Sequence, residues 1–178
     1  MTPNPIVIIS GSPGSGKSSV SRLLAENSPH DKTIHFHTDD FYHSICKGYI
    51  APWRSEAEEQ NTTIIESFTA SVARLAVGGY EVIVDGVIGP WFLSPWLDLV
   101  KNGFDVRYVI LRPDEQTTVK RASERDKIVD NDAVKNMWQA FKDLGSYKSH
   151  AIDTSCQSIS ETTAEIRRLL NDNAMSMK

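Results

Sequence analysis

Apolar residues along the chain alternate between two spacings, and that alternation predicts the fold. Residues 6–9 (Ile-Val-Ile-Ile) form an uninterrupted β-branched run, the pattern of a strand buried on both faces. A Gly/Ser-rich stretch follows, and residues 18–26 then place Val20, Leu23 and Leu24 on one helical face. Residues 33–38 read as a second strand. Residues 61–77 form the clearest helix, with Ile64, Ile65, Phe68, Val72 and Leu75 at helical spacing and Gly78-Gly79 to end it. Strands are expected again at 80–84, stopped by Asp85-Gly86, and at 106–111. Pro113 opens a helix with Asp114 and Glu115 in its first turn, where the helix dipole favours acids. Val134, Met137, Trp138, Phe141 and Leu144 outline another helix, ended by Gly145. A short strand at 150–153 and a helix at 159–170 complete the series. Five strands alternating with helices imply an α/β fold, a five-stranded parallel sheet with helices on both faces, in a single domain over 1–178. No internal repeat or low-complexity linker marks a second domain.

The first loop of this pattern carries chemistry. Residues 11–18 read GSPGSGKS and match G-x-x-x-x-G-K-[ST], the phosphate-binding P-loop. By composition alone such a match would occur in about one chain in two hundred of this length. The competing reading, an ordinary Gly/Ser turn, explains neither the buried strand before the motif nor the helix after it. Gly11, Gly14 and Gly16 permit backbone conformations that a Cβ resists and let N–H groups approach phosphate oxygens. Ser12, Ser15 and Ser19 fill out the loop, and the helix N-terminus adds its dipole. Lys17 is placed to reach β- and γ-phosphates, and the Ser18 hydroxyl to bind Mg²⁺. ATP and Mg²⁺ are the implied cofactors, and the α/β pattern becomes a P-loop NTPase three-layer sandwich.

Composition narrows the partners. A chain of 178 residues, 40% hydrophobic and 24% charged, is long enough for one real core and ordinary for a soluble protein. A net charge of -4 argues against a general nucleic-acid binder. The longest apolar stretch, 82–100, is interrupted by Asp85, Pro90, Pro95 and Asp98, so no membrane span is expected. Residues 1–5 lack an export signal, and Cys46 and Cys156 are too few for a disulfide framework, so a cytoplasmic protein is expected. The sequence sets no oligomeric state.

Ligands of parallel sheets sit at the carboxyl ends of the strands, and acids lie there. Asp85, after Glu81-Val82-Ile83-Val84, is a candidate Mg²⁺ ligand, against the alternative of a turn-forming Asp-Gly pair. Asp39 and Asp40, in HTDDFYH, are candidates for a base that takes the proton of an attacking hydroxyl, against an exposed loop or helix cap. His35, His37 and His43 nearby could join a metal site, but the alternation of His35 and His37 points to one shared strand face. Arg121 and Arg125, at i, i+4, are positioned to clamp transferring phosphate, against a solvated face paired with Glu124, Asp126 and Asp114. Arg54, beside Trp53, is the one well-placed cation for holding a polar acceptor group. Trp91, Phe92 and Trp96 could wall an apolar acceptor site, or be core.

In this order the segments GSPGSGKSS, TDDFY, VIVDG, VILRPDEQTTVKRASERD and DTSCQSISE resemble those of the small P-loop kinases of metabolites and antibiotics. Chloramphenicol phosphotransferase, the zeta-toxin kinases, gluconate kinase and the uridine and nicotinamide-riboside kinases share the layout. The resemblance implies transfer of the γ-phosphate of ATP to a hydroxyl of a small molecule. It implies a base at Asp39, or at Asp40 if the gluconate kinase spacing holds, and a mobile helical lid near 113–130 bearing Arg121 and Arg125. It also places adenine against 153–157, where Ser155 and Gln157 are candidates. Other classes stay open: a regulatory nucleotide-binding P-loop protein without transfer activity, or a nucleoside monophosphate kinase. A GTP-driven switch would need an Asn-Lys-x-Asp motif, which the sequence lacks.

Overall fold

The computed structural model describes residues 3–125 and 130–178. Five strands form one sheet: β1 (Ile6–Ser10), β2 (Thr33–His37), β3 (Glu81–Gly86), β4 (Val106–Leu111) and β5 (Ala151–Ile152). They lie in the order β2-β3-β1-β4-β5, and every pairing between them is parallel. The helices are α1 (Lys17–Glu26), α2 (Thr38–His43), α3 (Glu58–Val77), α4 (Ser94–Lys101), α5 (Glu115–Arg125), α6 (Asn131–Ala140) and α7 (Ile159–Asn171). This is the expected α/β arrangement with helices on both faces. None of these helices is long and apolar enough to cross a membrane.

Period-2 geometry divides the apolar strand residues between two cores. Ile6 and Ile8 of β1 face the layer of α3, α4 and the segment after α6, where Phe68, Val72, Trp96, Phe141 and Leu144 are buried. Val7 and Ile9 face α1 and α7, where Val20, Leu24, Ile166 and Leu170 are buried. Parallel strands covered on both sides must be apolar on both sides, which is why β1 reads as a continuous apolar run.

Element ends differ from the sequence expectation where polar residues carry them. The helix expected from residue 61 starts at Glu58, because its first turn is acidic and polar and lies before the apolar periodicity begins. The helix expected to run to Gly145 stops at Ala140 and is followed by a 3-10 turn, Gly145–His150. β2 ends at His37, and α2 begins at once. That six-residue helix is too short to show a period. Thr38, its first residue, packs so closely on Gly86 that any Cβ at 86 would collide with the Thr38 side chain. The segment after α7 adds an antiparallel bridge, Arg107 to Ser176, beside β4. Part of the expected lid, residues 126–129, lies outside the described residues; α5 and α6 flank it.

The connection from α2 to α3 is fastened by two side chains of α3. The Gln60 amide accepts from the Ile50 N–H (2.8 Å) and donates to the Ile50 carbonyl (2.6 Å), and Asn61 Nδ2 donates to the Pro52 carbonyl (2.8 Å). On the core side, Phe68 of α3 meets Phe36 of β2, Phe41 of α2 and Trp96 of α4, with ring centroids 5.8, 5.0 and 6.1 Å apart. Phe68 therefore anchors the helix that carries Asp39 and Asp40. Replacing it with Ala removes a buried aromatic and leaves a cavity, a loss of about 3–5 kcal/mol. Urea unfolding should read a loss of this size; a change below about 1 kcal/mol would contradict the role given to this ring.

Candidate active site

The P-loop occupies the bend between β1 and α1. Gly16, the residue before α1, has φ 92°, a left-handed conformation that side chains resist. No side chain caps α1, so the N–H groups of its first turn are left for a ligand. Lys17 is 7% exposed and, among the described residues, its Nζ donates only a long hydrogen bond, 3.4 Å, to the Ser12 carbonyl. Burial lowers the Lys17 pKa, the charges of Asp85 and Asp39 act in the opposite direction, and Arg125 adds to the lowering. Gly11 and Ser12, at the start of the loop, are buried.

Above it lies a cavity of about 590 Å³. Gly14, Ser15, Gly16, Lys17, Ser18 and Ser19 form its floor, and Arg121 and Arg125 of α5 form one wall. The far wall is Thr154, Gln157, Ser158, Ile159 and Thr162, from β5 to the start of α7. Arg121 joins the two walls by donating to the carbonyls of Thr154 (3.1 Å) and Gln157 (3.4 Å). Ser155 lies outside the lining: its hydroxyl accepts from the Asp114 N–H at 2.8 Å and ties the loop to the start of α5. Thr154 falls in the segment 153–157 expected at the adenine, whereas Ser158, Ile159 and Thr162 were not anticipated, because single residues at a helix start leave no periodic trace.

The cavity fits a nucleoside triphosphate. It is concave, its floor offers backbone donors and a buried cation, and Arg125 adds a second positive group. Among the described residues, two buried hydroxyls on it, Ser15 Oγ and Thr154 Oγ1, have no hydrogen-bond partner. Such orphans call for a ligand or water. A metal fits less directly: no group of three or more His, Cys, Asp or Glu among the described residues is arranged to hold one. Ser18 is on the floor, and Asp85 lies close enough to influence Lys17.

The acids assemble around His37. In the register of β2 on β3, His37 stands opposite Asp85. Asp85 is fully buried; its Oδ2 receives His35 Nε2 at 3.3 Å and its Oδ1 receives His37 Nδ1. The other ring nitrogen of His37, Nε2, is 3.2 Å from Asp39 Oδ2. His35 and His37 thus share one strand face, and it is turned to Asp85. Asp39 is held below the usual carboxylate range by hydrogen bonding with His37, against its own burial, with help from the charges of His37, Lys17 and His43. Asp40 is exposed and its side chain makes no hydrogen bond among the described residues. Burial works against ionisation of Asp85, and the two histidines outweigh it, so this carboxyl too is held low. Asp39 and Asp85 hold His37 up, to about 10.

None of the four residues expected at the acceptor side, Asp39, Asp40, Arg54 and Trp91, lines the P-loop cavity. Arg54 is exposed and paired with Glu56 at 3.1 Å. Trp91 is 55% exposed, seated over Gly89 with its ring edge against Phe141 at 5.3 Å, and lines a separate groove between α3 and α4. Of the two readings left open for Trp96, the core one holds: it is fully buried against Phe68, because the amphipathic face of α4 turns it into the core. Phe92 is half-buried beside it, in the same groove as Trp91.

A family model described as chloramphenicol phosphotransferase-like protein matches residues 4–171. No curated protein matches the sequence. Solved structures share the fold at low identity. The tunicamycin resistance protein of Deinococcus radiodurans is 17% identical over 98% of this chain and 99% of its own, with a TM-score of 0.68. A gluconokinase from Sinorhizobium meliloti is 16% identical over 98% and 95%, with a TM-score of 0.67. A sugar kinase from Janibacter is 16% identical over 95% of each chain, with a TM-score of 0.66.

The raised His37 pKa gives stability a signed pH dependence. The unfolded chain releases the His37 proton near its ordinary value of 6.5, whereas the folded chain keeps it to about 10. The contribution is complete below pH 6.5 and disappears as pH rises through about 10. The melting temperature should therefore fall more steeply between these limits in the wild type than in His37→Asn. Parallel curves for the two proteins would remove His37 from this account.

Proposed function

The chain belongs to the chloramphenicol phosphotransferase-like family and has the fold of a P-loop phosphotransferase; on that premise we propose that it transfers the γ-phosphate of ATP to a hydroxyl group of a small molecule. One observation carries the reading. The parallel pairing of β2, β3 and β1 brings Asp39, linked through His37 to Asp85, to the sheet edge from which the P-loop and Lys17 start, so a carboxylate stands within range of the charge that would hold the γ-phosphate. A nucleotide-binding module without transfer has no use for a base at that point.

The P-loop N–H groups and Lys17 cradle the β- and γ-phosphates, and the wall from Thr154 to Thr162 receives the nucleoside. Ser18 and Asp85 are the proposed holders of Mg²⁺, with Asp85 acting from behind its two histidines. When bound, Mg²⁺ neutralises charge on the β- and γ-oxygens. Asp39 takes the proton of the acceptor hydroxyl as that oxygen bonds to the γ-phosphorus and the bond to ADP breaks. Arg121 and Arg125 meet the charge spread over the transferring group. Asp40 and Arg54, both exposed outside the nucleotide cavity, are the proposed contacts to the acceptor.

That acceptor is not a nucleoside monophosphate. A phosphate acceptor needs no base and would be repelled by Asp39 and Asp40. It would also need a cluster of guanidinium forks. Between residues 38 and 102 the only cations besides histidine are Lys47, Arg54, Arg74 and Lys101, and Arg54 and Lys101 are already paired with Glu56 and Asp98.

A γ-³²P-ATP screen over sugars, nucleosides, antibiotics and the four common nucleoside monophosphates tests both statements. Label should appear on a hydroxyl acceptor, and Lys17→Ala should lower transfer by about two to three orders of magnitude. Diphosphate formation from AMP, CMP, GMP or UMP would make the protein a nucleotide kinase instead. A second experiment concerns the wall of α5. Arg121→Ala and Arg125→Ala should each slow transfer on the order of a hundredfold. Wild-type kinetics in both would return these residues to a solvated helix face.

A further inference from the structure

His37 belongs to neither the phosphate loop nor the acceptor loop, yet it touches a carboxylate on each side. Both ring nitrogens face carboxylate oxygens: Nδ1 meets Asp85 Oδ1, and Nε2 is 3.2 Å from Asp39 Oδ2. The ring is thus a bridge between a carboxylate of the sheet and a carboxylate of α2.

What it can do is hold. The Asp39 side chain is 55% exposed, on the first turn of the six-residue helix α2, where a carboxylate left alone would sample several rotamers. Asp85 is fully buried in β3, its second oxygen is fixed by His35, and His37 stands opposite it in the β2–β3 register. Rigidity therefore passes from the sheet to the ring and from the ring to the base. Resting on the phosphotransferase reading above, we infer that His37 is a positioning residue: braced through Nδ1 on Asp85, it holds the Asp39 carboxylate through Nε2 in the orientation that faces Lys17 and the incoming hydroxyl. The directions of the shifts at Asp39 and Asp85, both held low, accord with this geometry.

The two contacts can be separated. An Asn side chain places its amide nitrogen near the Nδ1 position, keeping Asp85 and losing Asp39. A Gln places it near Nε2, keeping Asp39 and losing Asp85. The first measurement needs no activity. In ¹⁵N-histidine-labelled protein without ligands, the His37 Nε2–H resonance should move in Asp39→Asn and far less in Asp40→Asn. Equal shifts in both would overturn the pairing.

The second is turnover with Mg²⁺-ATP and water as acceptor, repeated with any hydroxyl acceptor found in the screen. His37→Asn should lower kcat roughly 10- to 100-fold, as loss of a supporting group does, with KM for ATP changed less than about twofold. His37→Gln should run at least about fivefold faster than His37→Asn. The double variant His37→Asn/Asp39→Asn should be no slower than Asp39→Asn, because a residue that acts through another adds nothing once that other is gone. Losses that multiply, or a Gln variant as slow as the Asn variant, would overturn the assignment while leaving the kinase reading intact. A wild type that turns over no ATP would overturn the kinase reading, and this inference with it.

Discussion

Parallel pairing of β3 with β1 on one side and β2 on the other is the constraint from which the site follows. The registers put Ser10 beside Gly86, and His37 beside Asp85. Strands that run the same way end at the same edge, so the phosphate loop after β1, the buried acid of β3 and the acids after β2 meet without any long excursion of the chain. The pairing also demands that the last residue of β3 be Gly86, since α2 begins in the space where a Cβ would stand. A sheet built antiparallel from the same strands would scatter these groups over two edges.

Such a site is expensive in electrostatic terms. Asp85 is fully buried and Lys17 nearly so, and a charge removed from water needs a partner close by. The protein meets this requirement by making the charges neighbours of one another. His35 and His37 keep Asp85 ionised, while Asp85 and Asp39 support the charge on Lys17. The same pairing that makes burial tolerable leaves each group oriented. Order at the site is thus a by-product of paying its desolvation.

How far this was legible from sequence depends on whether the information is local. GSPGSGKS could be read because a P-loop encodes its function in one contiguous turn flanked by a strand and a helix. β1 could be read because burial on both faces leaves an unbroken apolar run, and β4 because only Arg107 interrupts one. Asp85 was visible as an acid at a strand end. The bridge made by His37 was not, because it depends on the β2–β3 register, which brings together residues 48 positions apart. The alternation of His35 and His37 showed that they share a face but not what that face meets. Trp96 stayed open between wall and core for a related reason: an aromatic next to a strand end can be either until the helix phase of α4 is known. Ser155 occupied the right loop, but its hydroxyl is spent on holding that loop to Asp114.

The fastening of the α2–α3 connection has a consequence for how the protein can change. Gln60 and Asn61 grip main-chain atoms only, the N–H and carbonyl of Ile50 and the carbonyl of Pro52. Main-chain atoms survive substitution, so the grip is indifferent to which side chains the connection displays. Tyr49, Trp53 and Arg54 can be exchanged without loosening the path of the chain that presents them. Substitution, natural or in the laboratory, can therefore rewrite this stretch while Asp39, the phosphate loop and the sheet beneath stay fixed. It is a replaceable cassette, and residues 60 and 61 are its clasp.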